Sequence, residues 1–134
     1  NYPGIRVYTE RTLKECREKG FVTTLLGRRR PIVLSAPSGG QNKGGMDRMA
    51  INAPIQGSAA DIIKKAMISS VSKLRHASLG TQMILQVHDE LIFNSPEEES
   101  DEAISLIRTA MEGAYPLNLP LVVNIRKGRN WAEI

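Results

Sequence analysis

The chain has 134 residues, 41% of them hydrophobic and 24% charged, with 18 Lys+Arg against 14 Asp+Glu and a formal net charge of +4. That size and balance suit one compact globular domain, and no run of about 18 apolar residues is present to form a membrane-spanning helix. The lone Cys16 precludes an internal disulfide and, beside only 2 histidines, a cysteine–histidine zinc site.

Ile5 to Lys19 places Ile5, Tyr8, Thr12 or Leu13, and Cys16 at helical spacing, and Gly20 is suited to cap the end. Phe21 to Leu26 is a short β-type run. Gly27-Arg28-Arg29-Arg30 follows as a connection, and Pro31 to Leu34 is the expected partner strand, with Pro31 at its start. Residues 35–45 hold four glycines and almost no apolar side chain, which predicts a loop. Met46 to Ala53 has helical character that Pro54 and Gly57 are expected to interrupt. Ser58 followed by Asp61 then reads as a cap for a second helix, with Ile62, Ile63, Ala66, Met67, Val71 and Leu74 as its apolar stripe.

Met83 to Val87 and Leu91 to Phe93 are strand runs separated by His88-Asp89-Glu90. Ser95-Pro96-Glu97-Glu98 predicts a helix start, with a hydroxyl cap, proline at the first position and acids at the positive end of the dipole. The helix that follows buries Ala103, Ile104, Ile107, Ala110 and Met111. Leu119 to Ile125 is the last expected strand. The order predicts an α+β fold in which an antiparallel sheet, including a His-Asp-Glu hairpin, packs against helices. Its expected core is Ile62, Ile63, Met67, Val71, Leu85, Val87, Leu91, Ile104, Ile107, Met111 and Val123.

Charge is unevenly spread: residues 1–48 hold ten Lys/Arg and four Asp/Glu, whereas residues 49–134 hold eight and ten. A basic third joined to a mildly acidic remainder suggests a surface that meets polyanions. The opening residues lack the basic-then-apolar order of a secretory signal, and the single cysteine is in keeping with a reducing, intracellular compartment.

Three features carry candidate chemistry. In QVHDELIF (86–93), burial of the flanking strands forces Asp89 and Glu90 to the hairpin tip, where adjacent carboxylates repel unless a divalent cation or other positive group shares the site. Neither residue is the Gly or Asn of a tight hairpin, so turn propensity does not explain them. A solvated acidic turn and a hydrogen-bonded structural His88 fit the same residues. Arg48, Asn52 and Gln56 are spaced four apart, so on a continuous helix they share a face whose donors and acceptors suit base edges and sugar-phosphate. Met49, Ile51 and Ile55 are expected to pack on the other side, and a water-facing polar stripe is the plainer reading. Arg28, Arg29 and Arg30 could clamp phosphates or simply keep a loop soluble.

MAINAPIQGSAADIIKKAMI (49–68), QVHDELIF (86–93) and GFVTTLLGRRR (20–30), with the closing Gly128-x-x-Trp131, together resemble the C-terminal part of family A DNA polymerases. Bacterial, organellar and theta- and nu-type eukaryotic enzymes share that family. The resemblance implies an end-of-fingers helix, hairpin and Gly-rich loop over residues 1–45, and a palm-like catalytic subdomain over residues 46–134 of a larger polymerase domain. It implies that Asp89 is one of two aspartates holding a pair of catalytic Mg²⁺ ions, with Glu90 as an acidic neighbour and His88 against the primer terminus. Arg48, Asn52 and Gln56 would meet the minor-groove side of the primer–template, where acceptors are nearly alike for every correct pair. Arg28, Arg29 and Arg30 would touch template phosphate. The metals would activate the primer 3′-hydroxyl and neutralise the departing pyrophosphate of a dNTP.

In the family the second metal-binding aspartate and the nucleotide-binding fingers helix precede the matched segment. The expectation is therefore a DNA-directed DNA polymerase whose remaining fingers, thumb and palm segments are partners of this one, and which does not polymerise DNA through these residues alone. A non-catalytic nucleic-acid-binding module derived from such a palm is the alternative. A metal-dependent nuclease or phosphatase lacks the further acids or histidines such sites need.

Overall fold

The computed structural model describes residues 2–32 and 43–133. The chain divides into two units, Asn1–Asp61 and Ile62–Ile134.

In the first unit, α1 (Pro3–Lys19) starts with proline in its first turn and ends where Gly20 takes φ 74°, its N–H returning to the Cys16 carbonyl. Left-handed geometry of this kind favours glycine, as the sequence led one to expect. Strands β1 (Phe21–Thr23) and β2 (Arg29–Pro31) pair antiparallel, Phe21 opposite Pro31 and Thr23 opposite Arg29. The expected strand extents therefore change. Arg29 and Arg30 belong to β2 and not to the connection, and Pro31 closes the strand instead of opening it, with the next residue, Ile32, donating its N–H to Gly20 O at 2.9 Å. The turn is residues 24–28, pinned by Thr24 N–H to Arg28 O at 3.0 Å and by Gly27, with φ 83°, donating to Thr24 O. Val33, Leu34 and residues 35–42 of the predicted loop lie outside the described residues.

Helix α2 (Lys43–His76) begins inside that predicted loop and runs through Pro54 without interruption. An interior proline removes one helical hydrogen bond and costs about 3 kcal/mol. The helix survives because its small-residue face is held from outside. Cys16, Val22, Ile32, Ala50 and Ala53, with Leu13 beside them, make the core of the unit. Ser58 and Asp61 are buried on the same side. They are not a helix cap: the Ser58 hydroxyl donates to Pro54 O and accepts from Leu25 N, and Asp61 pairs with Arg28. Contrary to expectation, Met49 and Ile55 are exposed and Ile51 is half-buried, because alanines and not the large side chains face the core.

In the second unit, β3 (Gln82–Val87) and β4 (Glu90–Asn94) pair antiparallel with a bulge between Met83 and Leu85. The extra residue breaks strict alternation, and Leu85, an expected core residue, is 44% exposed. A 3₁₀ turn (Glu97–Glu99) precedes α3 (Ser100–Glu112). The expected hydroxyl cap is absent from that start, since Ser95 bonds Thr81 and its neighbour's carbonyl in place of a helix amide. Leu74, Ala103 and Ile107 form the core, with Leu79, Phe93 and Met111 packed against it. The expected strand Leu119 to Ile125 pairs with no other strand among the described residues. Its chain is held instead by the Val123 N–H donating to the Glu112 carboxylate at 3.1 Å. A second 3₁₀ turn, Trp131–Glu133, follows. No helix among the described residues is long and apolar enough to cross a membrane.

Candidate functional site

Val87 pairs directly with Glu90, leaving His88 and Asp89 as a two-residue connection. His88 sits at φ 53°, in the left-handed region that a non-glycine residue occupies at a cost of about 1–2 kcal/mol. The Gln86 side-chain amide donates to the His88 carbonyl at 3.0 Å and braces the turn from one strand. Asp89 and Glu90 are both exposed, and neither makes an ion pair among the described residues. Strand pairing thus delivers adjacent acids to one end of the sheet on a backbone whose strain no local turn preference relieves.

Carboxylate oxygens are the donors Mg²⁺ takes. Among the described residues, however, no three or more His, Cys, Asp or Glu side chains gather into a metal-holding group. The donor type at Asp89 and Glu90 fits the ion, while two carboxylates alone fall short of a closed site.

In the first unit, Arg48, Asn52 and Gln56 are exposed along α2 at successive turns, while Ala50, Ala53 and Ser58 face inward. Their donors and acceptors are free to meet a ligand, because none makes a side-chain bond or ion pair among the described residues. Asp47, beside Arg48, faces Arg17 at 3.5 Å.

The three arginines that looked equivalent in sequence have different surroundings. Arg28 Nε donates to Asp61 Oδ1 at 2.8 Å and Nη2 to Gly57 O at 3.1 Å. Arg29 lies over the Phe21 ring, 4.9 Å from its centroid, a diagonal cross-strand contact. Arg30 is exposed and makes no ion pair among the described residues. Sequence reasoning missed Asp61 and Phe21 as arginine partners. The 33-residue separation of Arg28 from Asp61 leaves no local signal for their pairing.

The sequence profile described as DNA polymerase family A matches residues 1–133. This chain belongs to that family. Among relatives of the family A chain, the thermostable DNA polymerase I of Thermus filiformis is 44% identical over 133 residues, which is 99% of this chain and 16% of the relative. DNA polymerase I of Bacillus subtilis (strain 168) is 44% identical over 133 residues, covering 99% of this chain and 15% of that protein. The POL domain of Pol1 from M. smegmatis, solved in complex with DNA primer-template and dNTP, superposes with a TM-score of 0.91 at 44% identity, over 97% of this chain and 23% of that one. The family A segment thus spans about one-sixth of the length of the curated relatives it matches.

Proposed function

We propose that this chain is the palm-like part, with the end of the fingers, of a DNA-directed DNA polymerase, and that it contributes Asp89 to template-directed nucleotidyl transfer. The observation that carries the reading is the two-residue connection His88-Asp89 between paired strands, with Glu90 beside it, in a member of DNA polymerase family A. In this reading Asp89 and Glu90 hold Mg²⁺, which when bound would lower the barrier to attack by the primer 3′-hydroxyl on the dNTP and balance charge on the departing pyrophosphate. His88 lies against the primer terminus. Arg48, Asn52 and Gln56 hydrogen-bond the minor-groove side of the primer–template, and Arg29 and Arg30 face its phosphates. The remaining metal ligand, fingers and thumb come from other segments of the whole polymerase, so residues 1–134 alone would not incorporate nucleotides.

The test is Asp89→Ala in the full-length polymerase. It should remove nucleotide incorporation and leave primer–template affinity within a few-fold of the parent. Incorporation by residues 1–134 alone, or by the full-length Asp89→Ala variant, would overturn the proposal.

A further inference from the structure

We infer that Arg28 is a positioning residue and not a phosphate contact: its guanidinium grips the inward side of α2 and fixes the helical turn whose outward side carries Asn52 and Gln56. The functional part of this inference rests on the reading of those two residues given above.

Several observations converge on the grip. Both donors that Arg28 uses meet α2, Nε at the buried Asp61 Oδ1 and Nη2 at Gly57 O, while about half of its side chain, 51%, stays exposed. The same hairpin turn engages the helix a second time, through Leu25 N–H donating to Ser58 Oγ at 2.9 Å. The turn is itself rigid, since Arg28 N–H donates to Thr24 Oγ1 at 3.1 Å and Thr24 N–H returns to Arg28 O at 3.0 Å. Gly57 makes the approach possible: a Cβ there would stand 2.6 Å from Thr24 Cγ2 and 3.3 Å from Arg28 Nη2.

The grip falls where the helix needs it. Pro54 has no N–H, so the stretch around it lacks one of the bonds that hold a helix to its own geometry. Gly57, Ser58 and Asp61, the residues that the turn holds, lie in the next turns. Gln56 directly precedes Gly57, and Asn52 is one turn earlier. A displacement of the Gly57 backbone therefore moves Gln56 with it. Among the described residues, neither Arg29, stacked on Phe21, nor Arg30 is tied to α2 by a hydrogen bond or ion pair.

The experiment uses the full-length polymerase with Arg28→Met, Arg28→Lys, Asp61→Asn and the Arg28→Met/Asp61→Asn pair. The first readout is the slope of log binding constant against log salt concentration for primer–template. A lost phosphate contact lowers that slope by about one; the expected result for Arg28→Met is no change. The second is the ratio of extension rates from matched and mismatched primer termini, which loss of folded enzyme does not move. It should fall by about threefold to tenfold in Arg28→Met and by less in Arg28→Lys, which keeps the charge on Asp61 but not the fork to Gly57. The third is melting in the absence of DNA, where the paired variant should lose less than the two single losses added together. A slope lowered by about one, an unchanged ratio, or additive melting shifts would overturn the inference. Failure of the polymerase reading is separate: it would show as incorporation that survives Asp89→Ala, and the slope and melting data would still judge the grip on Asp61.

Discussion

Val87 lies directly opposite Glu90 across the β3–β4 ladder, so Asp89 has no room to be anywhere but the connection. Its neighbour His88 takes the left-handed backbone that closes so short a link between strands. Replacing His88 by glycine should relieve strain and raise stability by up to about 1 kcal/mol. In the full-length enzyme the same change should lower incorporation if the imidazole meets the primer terminus. Denaturant melts and single-turnover incorporation separate the two effects.

Gly57 packs against Thr24 more closely than any side chain would allow. Gly57→Ala gains helix propensity of about 1 kcal/mol but should lose more through overpacking, about 1–3 kcal/mol. Thr24→Ser removes the offending methyl and keeps the hydroxyl that accepts from Arg28 N–H. Chemical denaturation should therefore find Gly57→Ala/Thr24→Ser more stable than Gly57→Ala alone.

Glu99 ties the start of β3 to the 3₁₀ turn, accepting from Thr81 Oγ1 at 2.7 Å and Gly80 N–H at 3.0 Å. The Thr81 hydroxyl bond, ahead of an opposing desolvation and with the backbone N–H bonds of Gly80 and Thr81, holds its carboxyl below the usual range. A depressed carboxylate contributes stability above its unfolded pKa and loses it as pH falls through the folded one. The melting advantage of the parent over Glu99→Gln should accordingly be present at neutral pH and shrink under acid. An advantage that grew on acidification would contradict the assignment.

Cys16 is fully buried in the first core, and burial pushes its thiol pKa up; Arg17 works against that rise and Asp47 with it. A buried thiol kept protonated is a poor nucleophile. Alkylation should be slow in the native protein and fast in denaturant, and Cys16→Ser should destabilise by about 1 kcal/mol, at the low end for a buried hydroxyl, because the Ile32 carbonyl to which the thiol donates can accept from it.

Arg29, Arg30 and Arg48 make no ion pair among the described residues, and of the three Arg29 is held over the Phe21 ring. Arg30→Ala or Arg48→Ala should each lower the salt slope of primer–template binding by about one if it meets a phosphate. Asn52→Ala and Gln56→Ala should leave the slope unchanged and slow extension, since neutral amides release no counterions.

The features legible in sequence were those set by neighbours in the chain. Gly20 ends α1, α3 buries Ala103, Ile107 and Ala110, and His88-Asp89 falls between two strand runs for local reasons. Pro54 misled because a tertiary grip outweighs its local cost, and Ser58 and Asp61 misled because their partners, Leu25 and Arg28, stand 33 residues away. Leu119 to Ile125 has strand-like composition, yet β propensity has no effect until another edge pairs with it. The bulge at Ile84 likewise has no signature that would have placed Leu85 outside the core.

The most direct measurement is single-turnover nucleotide incorporation by the full-length polymerase carrying Asp89→Ala, with primer–template affinity measured on the same preparation. Loss of a group that stabilises the transition state should slow incorporation by about a thousandfold or more, with affinity nearly unchanged. Incorporation within tenfold of the parent at saturating Mg²⁺ would contradict the role given to Asp89.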